Sequence, residues 1–177
     1  DIPGVGLGSA GGRGMDNVRV SVNGGSIGRI VGLGASADIL NSYFYSTDGM
    51  AEMRARHIRA SGIHMPGNVG LIVSRGDIAA MMPTPELTQL GIYAGSIGRM
   101  QIGGSFVDNE VTVAGHIGAV TVADAFTNSY LTLQGPTVAY LQSLVVGGDI
   151  SGVIDSSGQI GSIVSRARVW TVMLDSS

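Results

Sequence analysis

Apolar residues fall along this chain in short alternating bursts, and a recurring phrase precedes most of them. The phrase is Gly-x-Ile-Gly-x-Ile. It stands at 25–30, 95–100, 115–120 and 158–163, and residues 67–72 fit it with Val69 in place of Ile. Two degenerate copies lie at 50–53 and 141–144. The first apolar residue of each copy serves as an anchor: Ile27, Met50, Val69, Ile97, Ile117, Leu141 and Ile160. The gaps between anchors are 23, 19, 28, 20, 24 and 19 residues, a mean of about 22. Three residues past each anchor come Ile30, Met53, Ile72, Met100, Val120, Leu144 and Ile163, apolar in every copy. One residue past the anchor the side chain is small in all copies but one, Gln142.

Each phrase leads into period-two alternation. Met100 and Ile102 point one way and Gln101 the other; Gly103-Gly104, Phe106 and a second burst at Val111 and Val113 follow. The next copy repeats the order with Val120/Val122, Phe126 and Leu131/Leu133. Bursts of three to four residues between Gly, Asn, Ser and Asp read as short strands joined by tight turns. Helix signals are nearly absent. The exception runs from Thr84 and Pro85 to Gly91, where Thr could cap and Gly could terminate one or two turns. It falls in the longest gap, so residues 80–92 are expected to form an inserted loop or short helix.

A period near 22 with two or three short strands per repeat predicts an all-β fold, a parallel β-helix (β-solenoid) of about seven coils. Successive coils would stack roughly 4.8 Å apart, with the anchors forming aliphatic columns inside. Glycines would serve corners that need positive φ or close backbone approach. A β-sandwich also has regular short strands, but gives no reason for the phrase itself to recur. We expect one domain over 1–177, with a Gly-rich N-terminal segment at 1–17 and a C-terminal strand within 164–177. No capping helix is visible at either end. Because the chain starts at Asp1, a processed protein or a piece of a longer one is expected.

Composition narrows the functional classes. The 177 residues include 29 Gly, 44% hydrophobic and only 13% charged residues, which argues against disorder. Five Pro without a Gly at every third position exclude collagen. All ten basic residues are Arg and the net charge is −3, a poor basis for nucleic-acid binding. Absence of Cys removes disulfides, thiolate metal sites and cysteine nucleophiles. No apolar run is long enough for a membrane-spanning helix; the opening residues do not read as a signal peptide, which carries little weight in a chain that starts at Asp1.

The phrases at 95–106 and 144–152 resemble repeats of large bacterial surface proteins: autotransporter- and haemagglutinin-like passengers, and giant extracellular proteins of planctomycete type. The resemblance spans roughly 18–165 and is one of repeat style. It implies a right-handed parallel β-helix, an extracellular or cell-surface location, and a structural or adhesive role. It carries over no catalytic residues. The two degenerate copies and the 28-residue gap depart from the regular pattern.

Several motifs have bland explanations. Gly24-Gly25-Ser26-Ile27-Gly28 matches a nucleophile elbow, but Asn68, Ser96, His116 and Gln159 fill the position of Ser26 in other copies. The runs 6–11 and 32–37 match or nearly match a dinucleotide fingerprint without an amphipathic helix to follow. Arg75-Gly76-Asp77 spells a receptor tripeptide, but sits where other coils have Gly103-Gly104-Ser105 or Gly147-Gly148-Asp149. His57, His64 and His116 are not at ligand spacing, so neither metal nor cofactor is expected.

Two surfaces are candidates for function. Arg54, Arg56, His57 and Arg59 could bind an acidic glycan or an anionic surface; otherwise they form a solvated face, with Arg29 and Glu52 paired between coils. Four positions past each anchor, Val31, Val73, Val145 and Val164 share an outward column with Arg54, Gln101 and Thr121. An apolar stripe there would be an assembly face, covered by a second copy, another domain, or the chain's own end segments. The sequence therefore points to a non-enzymatic structural or adhesive module that self-associates or belongs to a longer rod. Two rivals stand beside it. One is a carbohydrate-active β-helix lyase or hydrolase, centred on Glu52, Arg54 and His57. The other is an intracellular polymer like the bactofilins.

Overall fold

The structure, a computed structural model, describes residues 7–12, 14–32, 34, 37–81, 90–135 and 139–175, with 7–12 and 170–175 described as backbone. No helix occurs among the described residues, and every strand pairing is parallel. The chain is a β-solenoid whose coils contribute to three ladders.

The first ladder carries the anchor phrases. It stacks β1 (Leu7–Gly12), β4 (Ile27–Gly32), β7 (Gly49–Ala55), the second half of β9 (Gly62–Ser74), the second half of β11 (Gly91–Ile102), β13 (His116–Val122), β15 (Tyr140–Val146), and finally β17 (Gln159–Ile160) with β18 (Ile163–Ser165). The second ladder stacks β2 (Met15–Asp16), β5 (Ile39–Leu40), β8 (Ile58–Arg59), β10 (Ile78–Met81), and the starts of β12 (Phe106–Val113), β14 (Phe126–Leu133), β16 (Ile150–Ser156) and β19 (Val169–Asp175). The third joins β3 (Arg19–Val22), β6 (Tyr43–Ser46), the first halves of β9 and β11, and the ends of β12, β14, β16 and β19.

The anchors are in register. Ile27 pairs Met50, Met50 pairs Val69, Val69 pairs Ile97, and the column continues through Ile117 and Leu141 to Ile160. The column three residues on is equally continuous from Ile30 to Ile163. Both columns are buried up to Leu141 and Leu144. The coil number is close to the expected seven. Leu7 pairs Ile27, so residues 7–12 form one more row before the first anchor. On the second ladder Phe106 and Phe126 stack at 5.3 Å between ring centroids.

Close approach between rows explains the small column. A Cβ on Gly98 would lie 2.6 Å from the carbonyl oxygen of Gly70. Gly24 and Gly49 take positive φ where the third ladder turns into the first, but the residues with a Cβ that take it gather at the corner between the second and third ladders. Asn17, Asn41, Ala60, Ala80, Asp108 and Asn128 occupy that corner with φ between 45° and 56°. Asn and Asp tolerate this left-handed conformation better than other residues with a Cβ.

The residue after each corner turn points inward and is often polar. Ser42, Ser61, Asn109 and Ser129 are all buried. Each satisfies backbone groups that the turn takes out of the ladder. Ser61 Oγ accepts from Ser42 N at 3.1 Å and donates to Arg59 O at 2.8 Å. Asn109 N donates to Ser129 Oγ at 3.1 Å, and Asn109 Nδ2 donates to Ile78 O at 2.8 Å. Among the described residues no buried side-chain N or O lacks a partner.

The helix expected between Thr84 and Gly91 falls largely on 82–89, outside the described residues. The C-terminal strand expected within 164–177 is two strands on different ladders. Ser165 ends β18, and residues 166–168 turn the corner into β19.

Candidate functional site

Arg54, Arg56, His57 and Arg59 run from the outer side of β7 around a corner to β8. Alternation with buried Met53 and Ala55 turns Arg54 and Arg56 outward. Acids from neighbouring coils meet most of these side chains. Glu52 accepts from Arg29 Nε at 2.7 Å, in the coil before, and is also hydrogen-bonded by Arg54. Asp38 takes a two-pronged contact from Arg56, at 2.9 and 3.0 Å. Asp77 Oδ2 accepts from Arg59 at 2.9 Å, while its Oδ1 accepts from Ser105 N at 2.9 Å.

His57 completes the corner. Its Nδ1 accepts the amide proton of Asp77 at 2.9 Å. Asp77 Oδ2 also lies 3.5 Å from that nitrogen, but the shorter bond, to a donor of fixed position, defines the contact. Gly76 is packed against the ring: a Cβ there would lie 2.3 Å from His57 Cε1. The tripeptide Arg75-Gly76-Asp77 is thus a packed corner whose carboxylate is already engaged.

The electrostatics follow the geometry. Hydrogen bonds from Arg54 first, and then from Arg29, hold the Glu52 carboxyl below the ordinary carboxylate range. The Ser105 amide does the same for Asp77, reinforced by Arg59 and opposed by partial burial. Four guanidinium groups (Arg29, Arg54, Arg56, Arg59) face three carboxylates (Glu52, Asp38, Asp77), so little uncompensated charge remains for an anionic ligand. The Arg side chains are 42–59% exposed, and such pairs each add about 0–1 kcal/mol. The cluster ties coils together. Glu52 and His57, the centre of the hydrolase alternative, are bound to different partners, and no hydrogen bond joins them among the described residues.

Val31, Val73, Val145 and Val164 share one column of the first ladder. Arg54 separates Val31 from Val73, and Gln101 and Thr121 separate Val73 from Val145. Only Val145 and Val164 are adjacent. Val31, Val73 and Val145 are half-buried, and Val164 is 46% exposed. The stripe is therefore broken, with its exposed end in the last row. Neither β1 nor β19 covers it, since both extend ladders.

A second polar surface, which no repeat column of the sequence marks, lies on the third ladder. Tyr45, His64 and Tyr93 follow one another there in register. The rings of Tyr45 and His64 meet edge-on with centroids 6.2 Å apart, and His64 and Tyr93 are tilted at 5.0 Å. Tyr43 Oη bonds His64 Nδ1 at 3.2 Å, and the Arg19 guanidinium lies over the Tyr43 ring at 5.1 Å. Tyr93 Oη donates to Glu110 Oε1 at 3.3 Å; burial, and then Glu110, push the phenol up to about 12. Beside this column a groove of about 300 Å³ opens at the corner leading to the first ladder.

Among the described residues no group of three or more His, Cys, Asp or Glu comes together to hold a metal ion. No described helix is long and apolar enough to cross a membrane. Comparison with family models, with curated proteins and with solved structures finds no match.

Proposed function

We propose that the chain is a non-enzymatic structural or adhesive module that associates with copies of itself or with the rest of a longer polypeptide. The last row supplies the main support. Ile160 and Ile163 continue the two interior columns but are only partly buried, whereas Leu141 and Leu144 one row earlier are fully buried. Among the described residues β17 and β18 pair only with β15. Val164 and Val169 are exposed in the same row. An aliphatic column ending in a wet row with open strand edges is a surface that another row would cover. The adhesive role and the cell-surface location rest on the resemblance of repeat style.

Sedimentation of the wild type and Val164→Lys tests the reading. Self-association should appear in the wild type and weaken at least about tenfold when the exposed apolar edge gains a charge. Equal association of both proteins would overturn the role given to this edge.

A further inference from the structure

The groove beside the aromatic column runs along the solenoid axis. His64, Tyr93 and Thr112 line one side and follow one another in the same outward column. Pro66, Gly95, Ala114 and Gln134 line the other, in the corners of four successive coils. Three row steps make the groove roughly 14 Å long at the usual ladder spacing. Small residues form its depression, and Tyr and His rings rise at one end.

Its lining side chains are largely uncharged, and the Glu110 carboxylate reaches them through the Tyr93 hydroxyl. None of the lining residues is Arg, Asp or Glu. The ring faces are apolar, while Thr112, Gln134 and the Tyr93–Glu110 pair place a few hydrogen-bonding groups around them. The rings are held in place: Tyr93 by Glu110, His64 by Tyr43 and by both neighbouring rings. Concave sites that combine apolar lining with a few placed polar groups suit small organic ligands, and fixed rings lower the ordering cost of binding. An anion would want guanidinium groups, which lie outside this lining. A peptide strand would want a free strand edge, and the strands here pair with rows on both sides. A pyranose has apolar C–H faces for the rings and equatorial hydroxyls for the rim. We propose that this groove binds a neutral polysaccharide whose chain lies along the solenoid axis. The site lies within one molecule and stands whether or not the chain self-associates.

The test is titration calorimetry of the folded protein with cellohexaose, chitohexaose and mannohexaose, alongside a sulfated heparin hexasaccharide. At least one neutral hexasaccharide should bind, with Kd of roughly 10 μM to 1 mM, a range fit for a shallow site. Tyr93→Ala should weaken binding at least tenfold, about 1.4 kcal/mol. Tyr93→Phe, which keeps the ring, should lose only about threefold, and Arg54→Ala nothing. Ala114→Leu fills the groove from the side opposite the rings and should also abolish binding, which covers a folding defect in Tyr93→Ala. The proposal is overturned if no neutral hexasaccharide binds, or if binding survives Ala114→Leu. It is equally overturned if only the heparin fragment binds and Arg54→Ala removes that binding. Light scattering on the same samples reads self-association separately, so the two proposals fail independently.

Discussion

Ser42 Oγ accepts the amide proton of Val18, one coil earlier, at 3.1 Å while donating its own proton to Leu40 O at 2.6 Å. One buried hydroxyl thereby replaces two ladder contacts at a corner where the left-handed residue Asn41 breaks the strand. Ser61 repeats the arrangement one coil on, and Ser129 one coil after Asn109. The corner carries a run of buried polar side chains, broken by Met81, inside a largely apolar core.

Ser42→Ala leaves the Val18 amide without its partner and should cost about 1–3 kcal/mol. Urea denaturation measures it. A change under 0.5 kcal/mol, about the level of an ordinary surface substitution, would mean that water or a shifted backbone replaces the hydroxyl.

Ala60 holds φ at 45° in a column where other coils use Asn17, Asn41 and Asn128. Ala60→Gly and Ala60→Asn should each stabilise the fold, by about 0.5–1 kcal/mol, because the left-handed conformation strains a residue with a methyl side chain. Thermal melting should show a rise for both. A fall would mean that the Ala60 methyl contributes packing that outweighs the strain.

Glu52 and Asp77 both have carboxyl groups held below their ordinary range. A lowered folded pKa adds stability above the unfolded value near 4, and that stability is lost as pH falls through the lower, folded value. Stability should therefore decline on the acid side, below about pH 4. Asp77→Asn should flatten part of that decline. An unchanged acid limb in Asp77→Asn would remove Asp77 from the account.

Ile72 sits in an interior column between Met53 and Met100 and is fully buried. Ile72→Ala should cost about 2–5 kcal/mol, while Val73→Ala, one residue on and half outside, should cost far less. Equal costs would contradict the assignment of inner and outer faces.

The columns were legible because a solenoid turns vertical packing into a period along the chain. Ile27 and Met50 pair in register, so the aligned phrases are the ladder itself. The Arg29–Glu52 pair was legible for the same reason, since both stand two past an anchor. The row at Leu7 was hidden because Leu7-Gly8-Ser9-Ala10 lacks large aliphatics after its anchor and matches a nucleotide-loop pattern instead. The buried run through Ser42 and Ser61 was hidden because Ser in a turn ordinarily signals solvent exposure. Arg56–Asp38 and Arg59–Asp77 cross 18 residues, well short of the mean period, so no fixed column points to them. Tyr45, His64 and Tyr93 are 19 and 29 residues apart, and the long coil obscured their alignment.

Negative-stain imaging and light scattering of the wild type over a concentration series measure whether this solenoid assembles with its own copies. Defined oligomers or filaments whose mass grows with concentration are expected. A strict monomer at every concentration would contradict self-assembly and would leave the open last row to the rest of a longer polypeptide.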